Sequence, residues 1–370
     1  MPDSIAAHFT ALGATIYMNT AAFGVGSDRA AGALGAAAIA WSQGRFDFVP
    51  AEQAGEECRT GFARLIGAAA EDVALVPTAS AVAGQVAAHL IHQGSGGSIL
   101  VGAEEYTSNL FAWQLLAQRG FEVRMVPHRD GRLMAQDFAA MADGGTRLIA
   151  VSGVQSATGW RVDLAALRSI ADRSGALLYV DAAQMAGALA FDVRSLRIDA
   201  LAAPAHKFLL GTRGMGYAFF APTLRAAMQP VAAGWKAAAE PLASFFGPTM
   251  TLSATASRFD QSLAWFNVLA DRESMALLDG LGITAIDAGN RALADRLAAA
   301  LRTAGVPFLD HPPAHRSTIL SVAPRGTGAA ERLQAAGVVT ALRAGRVRLS
   351  LHLYNTPAQV DRVAALLAGS

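Results

Sequence analysis

Seven short apolar runs, at 72–77, 98–103, 122–127, 147–154, 177–180, 200–204 and 215–221, recur through the first two thirds of the chain. Stretches with helical spacing of apolar positions lie between most of them, among them 81–91, 110–119 and 164–174. Strand and helix in repetition predict an α/β sheet covered on both faces. The runs are nearly continuous in apolar residues, as strands buried on both faces are. After Gly234 the pattern changes. Pro, Gly and aromatic residues crowd 235–248, and then long Ala/Leu-rich helical stretches such as RALADRLAAALRTAG alternate with short strands such as STILSVA and RVRLSLHLY. This predicts a second, smaller α+β domain. We expect a large domain over 19–245 and a small domain built from 1–18 together with 246–370.

Composition narrows the function classes. A chain of 370 residues is long enough for two domains. Its 30 basic and 29 acidic residues balance to +1 with no basic block, which argues against a nucleic-acid partner. A single cysteine, Cys58, rules out an internal disulfide and a Cys-rich metal site, and no other spacing suggests metal ligands. The start, MPDSIAAHFTALGA, lacks the charged and apolar regions of a secretion signal. No uninterrupted apolar run reaches the roughly 18 residues of a membrane span. The expectation is a cytoplasmic enzyme without membrane contact.

Ligands of open α/β sheets bind beyond the carboxyl ends of the strands. VALVPTAS ends in Thr78, Ala79 and Ser80 at the start of a helical run, and VGAEEYTSN brings Tyr106. SGVQSATG brings Gln155 and Ser156, LLYVDAAQ ends in Asp181 with Gln184 close behind, and DALAAPAHK ends in His206 and Lys207. A lysine at a buried strand end can lose its proton and form a Schiff base. A carboxylate can keep a pyridine nitrogen protonated, a helix N-terminus offers N–H groups to a phosphate, and an aromatic ring stacks on a flat heterocycle. These are the parts that hold pyridoxal 5′-phosphate, the electron sink for amino-acid carbanions.

The chain resembles the class V aminotransferases, fold-type-I pyridoxal-phosphate enzymes that include cysteine desulfurases, isopenicillin epimerase-like proteins and kynureninase. Four segments carry the resemblance, in order: YMNTAAFG, YVDAAQ, HKFLLGTRGMG and RVRLSLHLYNT. It implies a large domain with a mostly parallel seven-stranded sheet and a smaller C-terminal α+β domain. It implies Lys207 as the lysine bonded to the cofactor, Asp181 against the pyridinium nitrogen and Gln184 at the ring's phenolic oxygen. Tyr106 takes the place of a stacking ring, and Ala79, Ser80 and His206 take the phosphate, with Gln155 and Ser156 nearby. Arg348 falls where the family binds the substrate α-carboxylate; Arg343 is a second candidate, and Asn19 accompanies them. RFDQSLAWF resembles a segment that crosses to the neighbouring subunit, which implies a homodimer in which Ser262 reaches the partner's phosphate.

The departures bear on the reaction. Desulfurases of this family carry an acceptor cysteine in their C-terminal third, and here the only thiol is Cys58, preceded by two glutamates in GEECRTGF. Pro204 replaces a phosphate-binding serine. An α-amino acid substrate and a β-eliminating C–S lyase, like hercynylcysteine sulfoxide lyase, are the first expectation, with transamination and epimerisation as alternatives. A non-catalytic regulator on the same fold is the alternative of a different class; it normally carries an added DNA-binding domain.

Overall fold

The computed structural model describes residues 3–324 and 328–369. A short strand, Ile16–Tyr17 (β1), precedes two long helices, Asp28–Ser42 (α1) and Val49–Ile66 (α2). The main sheet then forms from Val73–Val76 (β2), Ser98–Gly102 (β3), Glu122–Val126 (β4), Thr146–Ser152 (β5), Leu177–Asp181 (β6), Ala200–Pro204 (β7) and Gly216–Phe220 (β8). Its seven strands run in the order β2-β8-β7-β6-β5-β3-β4. Only β8 is antiparallel to its neighbours, so the other strands present their carboxyl ends on one rim. All seven apolar runs of the sequence are strands, with ends shifted by two residues or fewer.

Helices cover both faces because the strands are apolar on both. Ala79–His92 (α3), Thr107–Gln114 (α4), Ala135–Met141 (α5), Leu164–Ser174 (α6) and Pro222–Ala227 (α7) follow the strands in turn. Val82, Val86, Leu90 and Trp113 of α3 and α4 pack on one face. Phe62 of α2, Phe138 of α5 and Leu167 of α6 pack on the other. The free edge of β2 is closed by two charged residues. Leu75 donates its N–H to Asp260 Oδ1 at 2.8 Å, and Arg59 Nη1 donates to Val73 O at 2.6 Å. Arg59 and Asp260 pair at 2.6 Å, both buried, so each satisfies the other's charge while capping an edge that would otherwise be open.

The remaining helices are Trp265–Leu281 (α8), Ile283–Thr303 (α9), Ala329–Ala335 (α10) and Pro357–Ala368 (α11). Ile319–Val322 (β9), Ala341–Arg343 (β11) and Arg346–Ser350 (β12) make a second antiparallel sheet, and Val338–Val339 (β10) pairs in parallel with β1. A separate core of Ile16, Met18, Leu297, Leu320, Leu349 and Val363 holds this smaller unit together.

The packing divides the chain later than the sequence pattern suggested. Helix α8 lies within 246–370 yet packs on α1 and α2, and its Val268, Met275 and Leu278 share the main core with Leu75 and Tyr217. Gly61 makes this possible, since a Cβ there would stand 2.4 Å from Met275 Cγ. Among the described residues no helix is long and apolar enough to cross a membrane, and no cluster of His, Cys, Asp or Glu could hold a metal ion.

Candidate active site

The parallel strands deliver their ends to one cavity of about 390 Å3, within the range of small-ligand sites. Its walls include Ser80, Tyr106, Asp181, His206, Lys207 and Arg348, residues that stand as far as 268 positions apart in sequence. Strand β6 ends on Asp181, β7 on Pro204 three residues before Lys207, and α3 begins at Ala79 on the same rim. Strand β12 of the smaller unit brings Arg348 over the other side.

Lys207 sits in a tight, fully occupied turn. Its carbonyl accepts the Leu210 N–H at 3.0 Å, and His206 O accepts the Gly24 N–H at 2.8 Å. A Cβ at Gly24 would fall 2.0 Å from Lys207 O, so only glycine allows YMNTAAFG to lie against the lysine turn. On the far side buried His352 bonds Phe208 O through Nε2 at 2.8 Å, which ties the Arg348 segment to the residue after Lys207. Burial holds the His352 imidazole down to about 4, with the Phe208 carbonyl opposing, so it remains neutral at pH 7.

The charges in the cavity are mostly positive. Lys207, Arg213, Arg343 and Arg348 line it against one carboxylate, Asp181. Burial lowers the Lys207 pKa, against the attraction of Asp181 and with the help of the Arg348 charge. Its Nζ lies 5.2 Å from the Tyr106 ring centre. Burial pushes Asp181 up to about 6, opposed by Lys207 and by the Ala183 N–H that bonds Oδ1 at 2.8 Å. His206 is held down to about 4 by burial and then by the charges of Lys207 and Arg213. Arg348, 1% exposed, has its pKa lowered to about 10 by burial first and by Arg343 second. It spends Nη1 on Ser156 O and Oγ, both at 3.0 Å, and its buried Nε has no partner. A buried guanidinium facing a cavity, with no carboxylate partner among the described residues, is a receptor for an anion.

Of the residues expected at the site, Ala79, Ser80, Tyr106, Ser156, Asp181, His206, Lys207, Arg343 and Arg348 do line the cavity. Four others do not. Gln155 is buried behind the wall, where its Nε2 donates to Glu105 Oε1 at 2.8 Å. Gln184 also stands one layer back, with Nε2 donating to Ala21 O and Ser156 Oγ at 3.1 Å and Oε1 unpartnered. Asn19 accepts from Arg348 Nη2 at 3.4 Å and so steadies the arginine rather than forming the wall. Ser262 is exposed and outside its own chain's cavity. The N-cap of α3 is Thr78, which accepts the Ala81 N–H, while Ser80 is already inside the helix.

Thr78, the strand-end threonine, lines the cavity as well. Arg213, Ser108 and Glu105 escaped the sequence reading. Arg213 and Ser108 line the cavity, and the signal for Arg213 was a cation inside the glycine-rich GTRGMG. Glu105 is buried beneath Tyr106, where it accepts from the Ser152 N–H at 2.8 Å and Asn109 Nδ2 at 3.1 Å and joins the ends of β3 and β5. Nothing in its local sequence separates it from exposed Glu104.

The donor set fits a phosphorylated pyridine aldehyde. Helix α3 offers N–H groups free of intrahelical bonds at Ala79 and Ser80. Asp181 is a buried acid for a ring nitrogen, and Lys207 is an amine already biased towards its neutral form. The family model described as Aminotransferase class-V matches residues 47–363. The chain belongs to the class V aminotransferase family. Its cofactor is pyridoxal 5′-phosphate.

Relatives within the family differ in reaction. The chain is 29% identical over 324 residues to the uncharacterized aminotransferase YcbU of Bacillus subtilis, covering 84% of this chain and 83% of that one. It is 30% identical over 337 residues to isopenicillin N epimerase of Streptomyces clavuligerus, with the same two coverages. A probable cysteine desulfurase of Methanothermobacter thermautotrophicus is 32% identical, but over only 48% of this chain and 45% of its own. Among solved structures, the apo cysteine desulfurase of Thermococcus onnurineus NA1 superposes with a TM-score of 0.85 at 22% identity, covering 100% of this chain and 98% of that one. These confirm the class V chain as fold type I.

Proposed function

We propose that this class V enzyme takes an α-amino acid and breaks a carbon–sulfur bond at its β-carbon, releasing the sulfur fragment without passing it to a protein thiol. The observation that carries this reading is the place of the only thiol. Cys58 is fully buried between α2 and α8, its Sγ 4.0 Å from Val268 O, and it does not line the cavity. Burial pushes it up to about 12, with Asp271 adding more than the neighbouring Glu57. A thiol in that state is not a nucleophile.

The proposed division of labour follows the geometry. Bound pyridoxal phosphate supplies an electron sink at the substrate α-carbon. The α3 N-terminus with Ser80, His206 and Arg213 would hold the phosphate, Asp181 would meet the ring nitrogen, and Tyr106 would stack on the ring. Arg348 grips the α-carboxylate, with Ser156 and Asn19 fixing its fork. Lys207 would hold the cofactor through Nζ and, once freed, its amine, biased by burial towards the neutral form, would take the α-proton. The electrons of the lost Cα–H bond would form a Cα–Cβ double bond as the C–S pair departs with the sulfur, and water would convert the released enamine to keto acid and ammonia.

Arg348→Ala removes one charge-assisted contact, worth about 1.5–3 kcal/mol. Amino-acid binding should weaken roughly ten- to a hundredfold while the absorbance of the bound cofactor stays unchanged. Unchanged substrate affinity would transfer the carboxylate to Arg343.

The bond broken is tested by offering the holoenzyme a panel of amino acids. Keto acid with ammonia and a sulfur product supports elimination, amino-group transfer supports transamination, and loss of chirality alone supports epimerisation. The same panel with Cys58→Ala should show turnover within about twofold of the parent, since an apolar replacement suits a buried site. A folded, cofactor-loaded but inactive Cys58→Ala chain restores the persulfide route. Transamination or epimerisation is the second reading, because YcbU and isopenicillin N epimerase align over most of this chain and the desulfurase relative over less than half.

The active unit is proposed to be a homodimer. Ser262 does not line its own chain's cavity, and the large apolar side chains of Trp41, Phe246 and Met250 are 64%, 97% and 72% exposed, available to a partner copy. Sedimentation should give twice the chain mass at low micromolar concentration. An active, cofactor-loaded monomer overturns this.

A further inference from the structure

Helix α8 carries a polar stripe that the reaction has not yet used. Asn267, Asp271 and Ser274 are spaced four and three apart, so they share one helix face. Two of them are buried, Asp271 at 2% and Ser274 at 1% exposure, beside the apolar Val268, Met275 and Leu278. All three point their bonds at one target, the turn that follows Lys207. Ser274 Oγ donates to Leu210 O at 2.8 Å. Asp271 Oδ1 accepts both the N–H of Thr212 at 2.6 Å and its hydroxyl at 2.9 Å. Asn267 Nδ2 donates to Arg213 O at 2.9 Å.

The turn is shaped to receive these contacts. Leu210 holds a left-handed backbone, φ 58°, which a leucine adopts only when its surroundings enforce it. A Cβ on Gly211 would stand 2.7 Å from Asp271 Oδ1 and 2.9 Å from Ala205 Cβ, so glycine is needed for the carboxylate to reach Thr212. Asp271 takes part in none of the described ion pairs, and its Oδ2 has no partner. Burial pushes it up to about 7, with the Thr212 bonds opposing. A carboxyl group kept in such a place costs stability, and its return lies in what it holds.

We propose that Asn267, Asp271 and Ser274 are positioning residues that set the Lys207–Gly214 turn, and with it the Lys207 amine and Arg213, against Asp181. Asp271 is the centre of the stripe because its Oδ1 takes two bonds from one residue. The proposal rests on reading Lys207 as the cofactor-bearing lysine.

The test compares Asp271→Ala, Asp271→Asn and Ser274→Ala as holoenzymes. Three quantities are read: the pH midpoint of the bound cofactor's visible band, the rate of cofactor loss on dilution, and the melting temperature of the cofactor-free chain. Asp271→Ala should move the midpoint and lose cofactor roughly ten- to a hundredfold faster. Asp271→Asn keeps an Oδ1 acceptor for Thr212 and should return both towards the parent. Ser274→Ala should show the same changes more weakly, and it supplies the result if Asp271→Ala does not fold. The parent's midpoint and rate of cofactor loss in Asp271→Ala, or in a folded Ser274→Ala where Asp271→Ala fails, overturn the proposal. So does an Asn variant as altered as the Ala variant. Borohydride fixation of cofactor in the parent separates the two readings. A label on Lys207 with an unaltered band in the variants defeats the stripe alone, whereas a label on another residue defeats the lysine assignment itself.

Discussion

Lys207→Ala should bind cofactor without a covalent bond and lose turnover by about 10²–10⁴-fold, the usual loss when a positioned proton-transfer group is removed. Among the described residues, Lys207 is the one amine lining the cavity, and burial together with the Arg348 charge biases it towards the neutral form that can bond a carbonyl or take a proton. The Tyr106 ring centre stands 5.2 Å from Lys207 Nζ and offers no amine to replace it. Borohydride should fix the cofactor to the Lys207 peptide in the parent and to no peptide in the variant. Small primary amines added to the variant should restore part of the lost turnover, because they supply the missing base. Retained turnover, or a label on another peptide, refutes the assignment.

Asp181→Asn should be the next most damaging change, with the barrier raised by about 3–5 kcal/mol and turnover lower by roughly 10²–10⁴-fold, because it leaves a buried cation without its counter-charge. The carboxyl is the last residue of β6, and the Ala183 N–H fixes Oδ1 from below. The expected loss lies in turnover rather than in amino-acid binding, since Arg348 keeps its contacts to Ser156. The cofactor-free chain gives an independent readout. Burial raises Asp181 to about 6 in the folded state, above its value of 3.8 when solvated, with Lys207 pulling the other way. The folded chain therefore holds the proton more tightly than the unfolded chain, and stability falls as pH rises through that interval. Asp181→Asn has nothing to ionise and should lose less stability between pH 4 and 6 than the parent. Identical pH profiles for the two chains would show that Asp181 is not buried as described.

Much of this was legible in the sequence because it is local. A run such as LLYVDAAQ states its strand by continuous apolarity and its strand end by the first acid. In an open parallel sheet, that end is where ligands bind. The same logic placed Lys207, Tyr106 and Ser80 on one rim, and HKFLLGTRGMG was one of the four segments that carried the resemblance. The sequence also gives a single cysteine, Cys58, whose burial it could not show.

What only the tertiary structure decided depends on neighbours far away in the chain. Gln155 and Gln184 have the right polarity and spacing for the cavity wall, yet their amides are claimed by Glu105, Ala21 and Ser156 and stand a layer behind. Cys58 is raised by burial and by Asp271, 213 positions on, more than by the glutamate beside it. Helix α8 looked like part of the smaller unit by its place after residue 245, but its apolar face fits α1 and α2, and a missing side chain at Gly61 lets it close. Periodicity tells a segment that it has a buried face. It does not say which surface will cover that face, because apolar contact is non-directional, and the choice falls to shape, to glycine clearances and to the few polar groups that must find partners once water is gone.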